Sequence, residues 1–300
     1  MKYTNPIAGG ADPFILLHDG KYYLYTTNFS DGGFKVQVSD DLVNWSEETV
    51  ALSKADVKGE DKFWAPEVMF YKDKFYMIYT ASLHMGIAVA DSPMGPFTQQ
   101  TQKWVGDFTG IDGHLFLDDD GKMYLYYVKF GDGYGLYVAE MADDMTEIKP
   151  ETEKFLFRAS EPWELKYSWY KPNNPILFGV TEGPFCLKHN GKYYLTYSCN
   201  DYKNKDYSVG FAVADAPMGP FQKHSGNRIL CRDGDIVGTG HHSFTKNKYT
   251  GELICVYHRH FSNTEIHPRQ TCVDSAAFVT DENGNEILKI YGPTASGALK

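Results

Sequence analysis

Gly110-Ile-Asp-Gly-His-Leu-Phe-Leu-Asp-Asp-Asp-Gly-Lys-Met-Tyr-Leu-Tyr-Tyr127 decides how this 300-residue chain folds. Asp112 opens a short apolar run from Leu115 to Leu117, an Asp-Gly turn reverses the chain, and an aromatic-rich strand returns. Alternating bulky side chains suit a pleated strand, and Asp-Gly supplies the positive φ angles of a tight turn. The stretch therefore predicts a β-hairpin with a carboxylate at its entrance.

The same pattern is written four more times, in units that begin at Asp12, Ala65, Glu182 and His241. Val89-Ala-Asp-Ser-Pro-Met-Gly-Pro-Phe97 returns as Val213-Ala-Asp-Ala-Pro-Met-Gly-Pro-Phe221, so the chain carries an internal duplication. Each unit holds three or four short strands, and helical periodicity is hard to find anywhere, which is the pattern of propeller blades. The expected architecture is all-β, a single five-bladed β-propeller domain over residues 1–300. The longest interval between units falls across Phe155 to Asn174, with Trp163 and Trp169. It reads as an irregular loop over one face.

Composition narrows the partners. A net charge of −10 disfavours nucleic acid or an anionic membrane surface, because polyanions are bound by basic patches. Five cysteines, an odd number without a CxxC pair, argue against a disulfide framework. The start, Met-Lys-Tyr-Thr-Asn-Pro, has no apolar signal region and no run is long enough to span a membrane, so a cytoplasmic protein is expected.

Blade geometry turns the repeat into chemistry. The innermost strand of each blade lines the central channel, and its first residue faces the axis at one rim. Asp12, Asp112 and Glu182 precede their turn lysines, Lys21, Lys122 and Lys192, by nearly the same interval, so the three carboxylates should meet at one opening. Trp64-Ala65 and His241-His242 hold the corresponding places in the second and fifth units. Three acids, an aromatic ring and a histidine suit carbohydrate chemistry: carboxylates move protons and an aromatic face stacks on a sugar. Taken singly, Asp112-Gly and Asp12-Pro would be turn elements. Their coincidence at matching places in the repeat favours function. Asp118-Asp-Asp-Gly121 reads as a hairpin turn, since it lacks the spaced ligands of a calcium loop. His258 and His260 alternate along one strand, so one of them can face the axis, as structure or as a hydrogen-bonding group.

Asp12-Pro, Trp64-Ala-Pro-Glu67, Ile111-Asp112, Glu182-Gly-Pro184 and Gly238-Thr-Gly-His241 together resemble glycoside hydrolase family 43, whose fold is a five-bladed propeller. The resemblance implies that Asp12 is the general base, Glu182 the general acid, and Asp112 the carboxylate that orients the acid and keeps its pKa up. It implies that His241 faces a hydrated Ca2+ in the channel, with no cofactor required for the chemistry. Arg269 resembles the family's pocket arginine, and Phe29 and Trp64 are candidates for the apolar wall. The expected activity is inverting, exo-acting release of α-L-arabinofuranose or β-D-xylose from hemicellulose oligosaccharides. An endo-arabinanase would need an open groove, and a non-catalytic sugar-binding propeller would not need all three carboxylates.

Overall fold

The computed structural model describes residues 2–99, 101–131, 133–171, 173–282 and 284–299. Five antiparallel sheets follow one another along the chain, as the repeat predicts. Blade one is built from Ala11–His18, Lys21–Thr27, Gly33–Ser39 and Thr49–Ser53, and blade two from Trp64–Tyr71, Lys74–Ala81 and His84–Ala90. Blade three takes Gly110–Leu117, Met123–Gly131, Gly133–Glu140 and Lys154–Arg158. Blade four takes Thr181–His189, Lys192–Cys199, Ser208–Ala214 and Gln222–Lys223. Blade five is led by Gly240–Lys246, Leu253–Arg259 and Gln270–Thr280.

Aromatic and β-branched residues on both faces of these sheets are buried because each blade packs between two others. Five apolar clusters result, one at each boundary. Phe34 and Tyr79 share the cluster between blades one and two, and Tyr126 and Leu195 that between three and four. The ring closes where Leu24 of blade one meets Ile254 and Val273 of blade five. The chain's two ends reinforce that seam, since Lys2–Thr4 pairs with Ser296–Ala298 and Ala8–Gly9 pairs onto the Gln270–Thr280 strand.

The duplicated segment has a physical job. The buried hydroxyl of Tyr25 donates to the carbonyl of Pro93, and that of Tyr126 donates to the carbonyl of Pro217. Each copy of the Pro-Met-Gly-Pro turn thus satisfies a tyrosine buried by the blade before it, a donor that would otherwise be costly to bury.

One expectation needs correction. The segment from Phe155 to Asn174 is only partly irregular. Lys154–Arg158 is the fourth strand of blade three, paired with Gly133–Glu140, and Ser168–Tyr170 forms a two-stranded ribbon with Leu177–Gly179. Phe155 and Trp169 find cross-strand aromatic partners, Tyr137 and Phe178, which stabilise these short pairings. Asp118-Asp-Asp-Gly121 is a hairpin turn, with the Gly121 N–H donating to the Asp118 carbonyl. The five cysteines are free thiols. No helix among the described residues is long and apolar enough to cross a membrane.

Candidate active site

Every blade's first strand carries a β-bulge at the same place, between Ala11 and Phe14, Trp64 and Glu67, Ile111 and His114, Glu182 and Phe185, and Gly240 and Ser243. The second residue of each bulge is left-handed: Asp12 (φ 50°), Ala65 (46°), Asp112 (58°), Gly183 (53°) and His241 (44°). The bulges align Asp12 with Asp112 and His241, whereas Glu182 sits one residue earlier, at the place of Trp64. Because Gly183 takes the strained conformation without a side chain, Glu182 approaches the same opening from the neighbouring position.

The amide freed by each bulge is captured by an adjacent blade. Ala65 N–H donates to Thr27, Asp112 N–H to Thr80, His241 N–H to Ser198, and Asp12 N–H to Nδ1 of His258. In blade four the pattern changes: the Gly183 N–H donates to Oδ2 of Asp112 at 3.1 Å. That substitution ties the third carboxylate to the strand bearing Glu182.

Asp12, Asp112 and Glu182 are buried, at 8%, 6% and 8% exposure, and all three line one cavity of about 630 Å³. Their electrostatics differ. Burial alone would raise the pKa of Asp12, but Arg269, whose Nη1 is 2.9 Å from Oδ1, and His241 and His258 outweigh it. Asp12 is therefore held well below the usual carboxylate range. Glu182 is pushed up, first by burial and then by the negative charge of Asp112, against smaller opposing effects of His241 and Tyr207. Asp112 is also pushed up by burial and by Asp12, while the Gly183 amide favours its charged form. Asp112 and Glu182 thus share a buried site that discourages two negative charges, and one proton stays on the pair above the pH at which a free carboxyl loses it. An ionised carboxylate and a protonated carboxyl facing one cavity can accept a proton from water and give one to a leaving oxygen.

The remaining expected residues divide. Trp64, His241 and Arg269 line the cavity with the carboxylates. Phe29 is not among the lining residues; its ring lies over Gly32 and under the ammonium of Lys35, 5.1 Å from the ring centre. The turn after the second strand of blade one folds the ring back on itself, so the expectation of Phe29 as a pocket wall is corrected. The further aromatic lining comes instead from Trp169, Phe130, Tyr134 and Tyr202. The insertion carrying Trp169 is anchored by Glu164, fully buried, which accepts from the amides of Ser160 and Glu161 and from Tyr197.

His241 turns toward Asp12, with Nδ1 3.4 Å from Oδ1. Among the described residues no group of three or more His, Cys, Asp or Glu is arranged to hold a metal ion. Two buried ring nitrogens lack partners, Nε2 of His114 and Nδ1 of His242. Their other nitrogens are occupied, by Glu67 at 2.7 Å and Thr196 at 2.6 Å. Either nitrogen could meet a water of a hydrated cation, whereas Nδ1 of His241 already faces Asp12. Of the alternating pair, His258 is fully buried against Asp12, while Nε2 of His260 meets the Tyr202 carbonyl at 2.7 Å.

Two contributors gave no signal in the repeat. Tyr207, fully buried, donates its hydroxyl to Oε1 of Glu182 at 2.8 Å. Tyr202 lays its ring 4.3 Å from the Arg269 guanidinium. Both follow the second strand of blade four, outside the repeated pattern.

The sequence profile described as Glycosyl hydrolases family 43 matches residues 3–283. A thermostable family-43 glycoside hydrolase of known structure is 39% identical, with a TM-score of 0.87 over 99% of this chain and 98% of that one. A structure described as an endo-1,4-β-xylanase from Bacteroides thetaiotaomicron is also 39% identical, with a TM-score of 0.85 over 97% of both chains. Among curated relatives, a β-D-galactofuranosidase of Aspergillus niger is 29% identical over 96% of this chain and 85% of its own length. A β-xylosidase of Xylanibacter ruminicola is 28% identical over 86% of this chain and 89% of its own. An arabinoxylan arabinofuranohydrolase of Paenibacillus polymyxa is 28% identical over 85% of this chain and 46% of its own.

Proposed function

Because the chain belongs to glycosyl hydrolase family 43, we propose that it is an inverting, exo-acting hydrolase of hemicellulose oligosaccharides. The bond it cleaves is that of a terminal α-L-arabinofuranose or β-D-xylose residue. The observation that carries this reading is three buried carboxyls lining one cavity, with Asp12 paired to Arg269 at 2.9 Å and held ionised while Glu182 and Asp112 are pushed up by burial and neighbouring carboxylates.

In this mechanism a water lies between Asp12 and the anomeric carbon. Asp12 takes a proton from the water as its oxygen attacks. Glu182 gives its proton to the glycosidic oxygen, the C–O bond breaks on the opposite face, and the anomeric configuration inverts. Asp112 supports the protonated state of Glu182 by like-charge repulsion. Arg269 keeps Asp12 ionised by its charge and holds it by a hydrogen bond, and its position on the cavity suits sugar hydroxyls. Trp64 offers an aromatic face beside the carboxylates. A hydrated cation in the channel, which the resemblance assigns to His241, would add positive charge there, and no step requires it.

The exo reading rests on the walls of the cavity. Trp169, on the anchored insertion, lines it together with Tyr202 and Lys203, which suits a pocket better than an open groove. An endo-arabinanase would need a groove running through this lining. The relatives' names include xylose- and arabinose-releasing activities, and a pentose pocket accommodates both readings. Assay of the purified protein on 4-nitrophenyl α-L-arabinofuranoside and β-D-xylopyranoside ranks the two sugars, and NMR of the first-formed anomer tests inversion. Release of internal fragments from a polymer before any monosaccharide would overturn the exo reading. Retention at the anomeric centre would overturn the mechanism.

A further inference from the structure

Tyr207 is one of the largest fully buried side chains, yet it spends its hydroxyl on a single carboxyl oxygen, Oε1 of Glu182, at 2.8 Å. Room for its ring is made by Gly240, where a Cβ would come within 2.4 Å of it. The ring stacks on His258, with centroids 5.5 Å apart and planes 12° from parallel. His258 in turn accepts the backbone N–H of Asp12 at Nδ1, at 3.2 Å, and is kept neutral by burial, with its pKa down at about 3. A single stack of two rings therefore links two carboxyls that line the cavity, running from Glu182 through Tyr207 and His258 to Asp12. It crosses from blade four through blade five to blade one.

Building on the acid and base roles proposed above, we propose that Tyr207 positions the general acid. It occupies Oε1 of Glu182, so that Oε2 is the oxygen that carries the proton and delivers it to the leaving group. In the reaction the Oε2–H bond breaks as the proton passes to the glycosidic oxygen, and the resulting carboxylate keeps the Tyr207 hydrogen bond. A carboxyl without this contact could rotate and place its proton away from the leaving oxygen. That misplacement matters only when the leaving oxygen needs the proton.

The hydroxyl has a second consequence. A donor favours the charged carboxylate, so Tyr207 opposes the upward push on Glu182 from burial and Asp112. The other titratable groups facing Glu182 are His241, Asp201 and Tyr134, and none of them changes in a Tyr207→Phe variant.

Tyr207→Phe in the full chain keeps the stacked ring and removes only the hydroxyl. On an oligosaccharide its kcat/KM should fall by about 10-fold, while on an aryl glycoside with an acidic leaving group it should change less than about 2-fold. The alkaline limb of the pH profile should move upward by roughly one unit. Equal losses on both substrates with an unmoved limb would reduce Tyr207 to a packing residue and overturn the proposal, as would no change at all. Gly240→Ala, which crowds the ring while leaving the hydroxyl, should show the same split between substrates; a uniform loss would count against positioning. Infrared difference titration of the buried carboxyl provides a readout without any sugar. An unshifted titration in Tyr207→Phe would overturn the role of the hydroxyl. Inactivity of the wild type on both pentosides would instead overturn the substrate reading.

Discussion

The backbone amide of Gly183 donates to Oδ2 of Asp112 across the boundary between blades three and four. In the other four blades the equivalent amide goes to a neutral side chain, Thr27, Thr80, Ser198 or His258. Here it brings a carboxylate against the strand that carries Glu182. The propeller's own bulge geometry thus sets a second carboxyl beside Glu182, which burial and this neighbour together push up.

Asp112→Asn follows from this contact. Asparagine retains an oxygen acceptor for the Gly183 amide, so the fold should persist, while the negative charge beside Glu182 is lost. Removing a neighbouring negative charge lowers a carboxyl's pKa, so Glu182 should lose its proton at lower pH. The alkaline limb of kcat/KM should move down by on the order of one unit. This is opposite in sign to the shift expected for Tyr207→Phe. A pH–rate profile on the oligosaccharide, whose leaving oxygen needs the proton, checks it, and an unmoved or raised limb would remove Asp112 from this role.

Arg269→Met tests the base. Burial raises the pKa of Asp12, and the Arg269 guanidinium at 2.9 Å is the leading force against it. Without that charge Asp12 should take up a proton at higher pH, and the acid limb of the profile should move upward. Activity at neutral pH should fall by roughly 10²-fold as the base loses both its charge partner and its orientation. An acid limb that stays in place would mean that Asp12 is not the group titrating there.

Burying a protonated acid has a stability consequence. Glu182 has a folded pKa above its unfolded value, so the folded state binds more protons between the two. Stability is full below the unfolded pKa and is lost as pH rises toward the folded one. Glu182→Gln removes this loss while keeping shape. Relative to wild type, the variant should gain little melting temperature near pH 4 and progressively more toward pH 8. A gain independent of pH would place its origin in packing.

Repetition made the architecture legible. Five apolar–turn–aromatic hairpins cannot bury both faces except by packing blade on blade, and the carboxylates at their entrances converge once the ring closes. What the repeat did not carry was local. The offset of Glu182 from its turn lysine looked equivalent to that of Asp12, yet the bulge register puts Gly183 in that place and Glu182 one residue earlier. Phe29 is apolar and close in sequence to the rim, but its ring closes over Gly32 within its own turn. Tyr207 and Tyr202 follow a strand end after Asn200 and Asp201, both with left-handed backbones, so their direction depends on a turn that the sequence pattern does not encode. His241 lines the cavity as expected of its place in the repeat, while the unpartnered nitrogen of its neighbour His242 follows from a bulge whose register the pattern does not encode.

The acid and base roles separate most sharply through the leaving group. A basic alkoxide needs a proton as its bond breaks, whereas a nitrophenolate hardly does. Glu182→Ala should therefore lose far more activity on an oligosaccharide than on a 4-nitrophenyl pentoside. Asp12→Ala should lose on the order of 10²–10⁴-fold on both, because water must be activated whatever departs. Azide offers a further distinction: a small anion can occupy space left by Asp12 and attack without a base, giving a glycosyl azide from the aryl substrate of Asp12→Ala. The measurement is kcat/KM for both variants on both substrates, with wild type and Tyr207→Phe alongside. Tyr207→Phe should fall between wild type and Glu182→Ala on the oligosaccharide and near wild type on the aryl glycoside. If Glu182→Ala and Asp12→Ala respond alike to the change of leaving group, the assignment of acid to Glu182 and base to Asp12 fails.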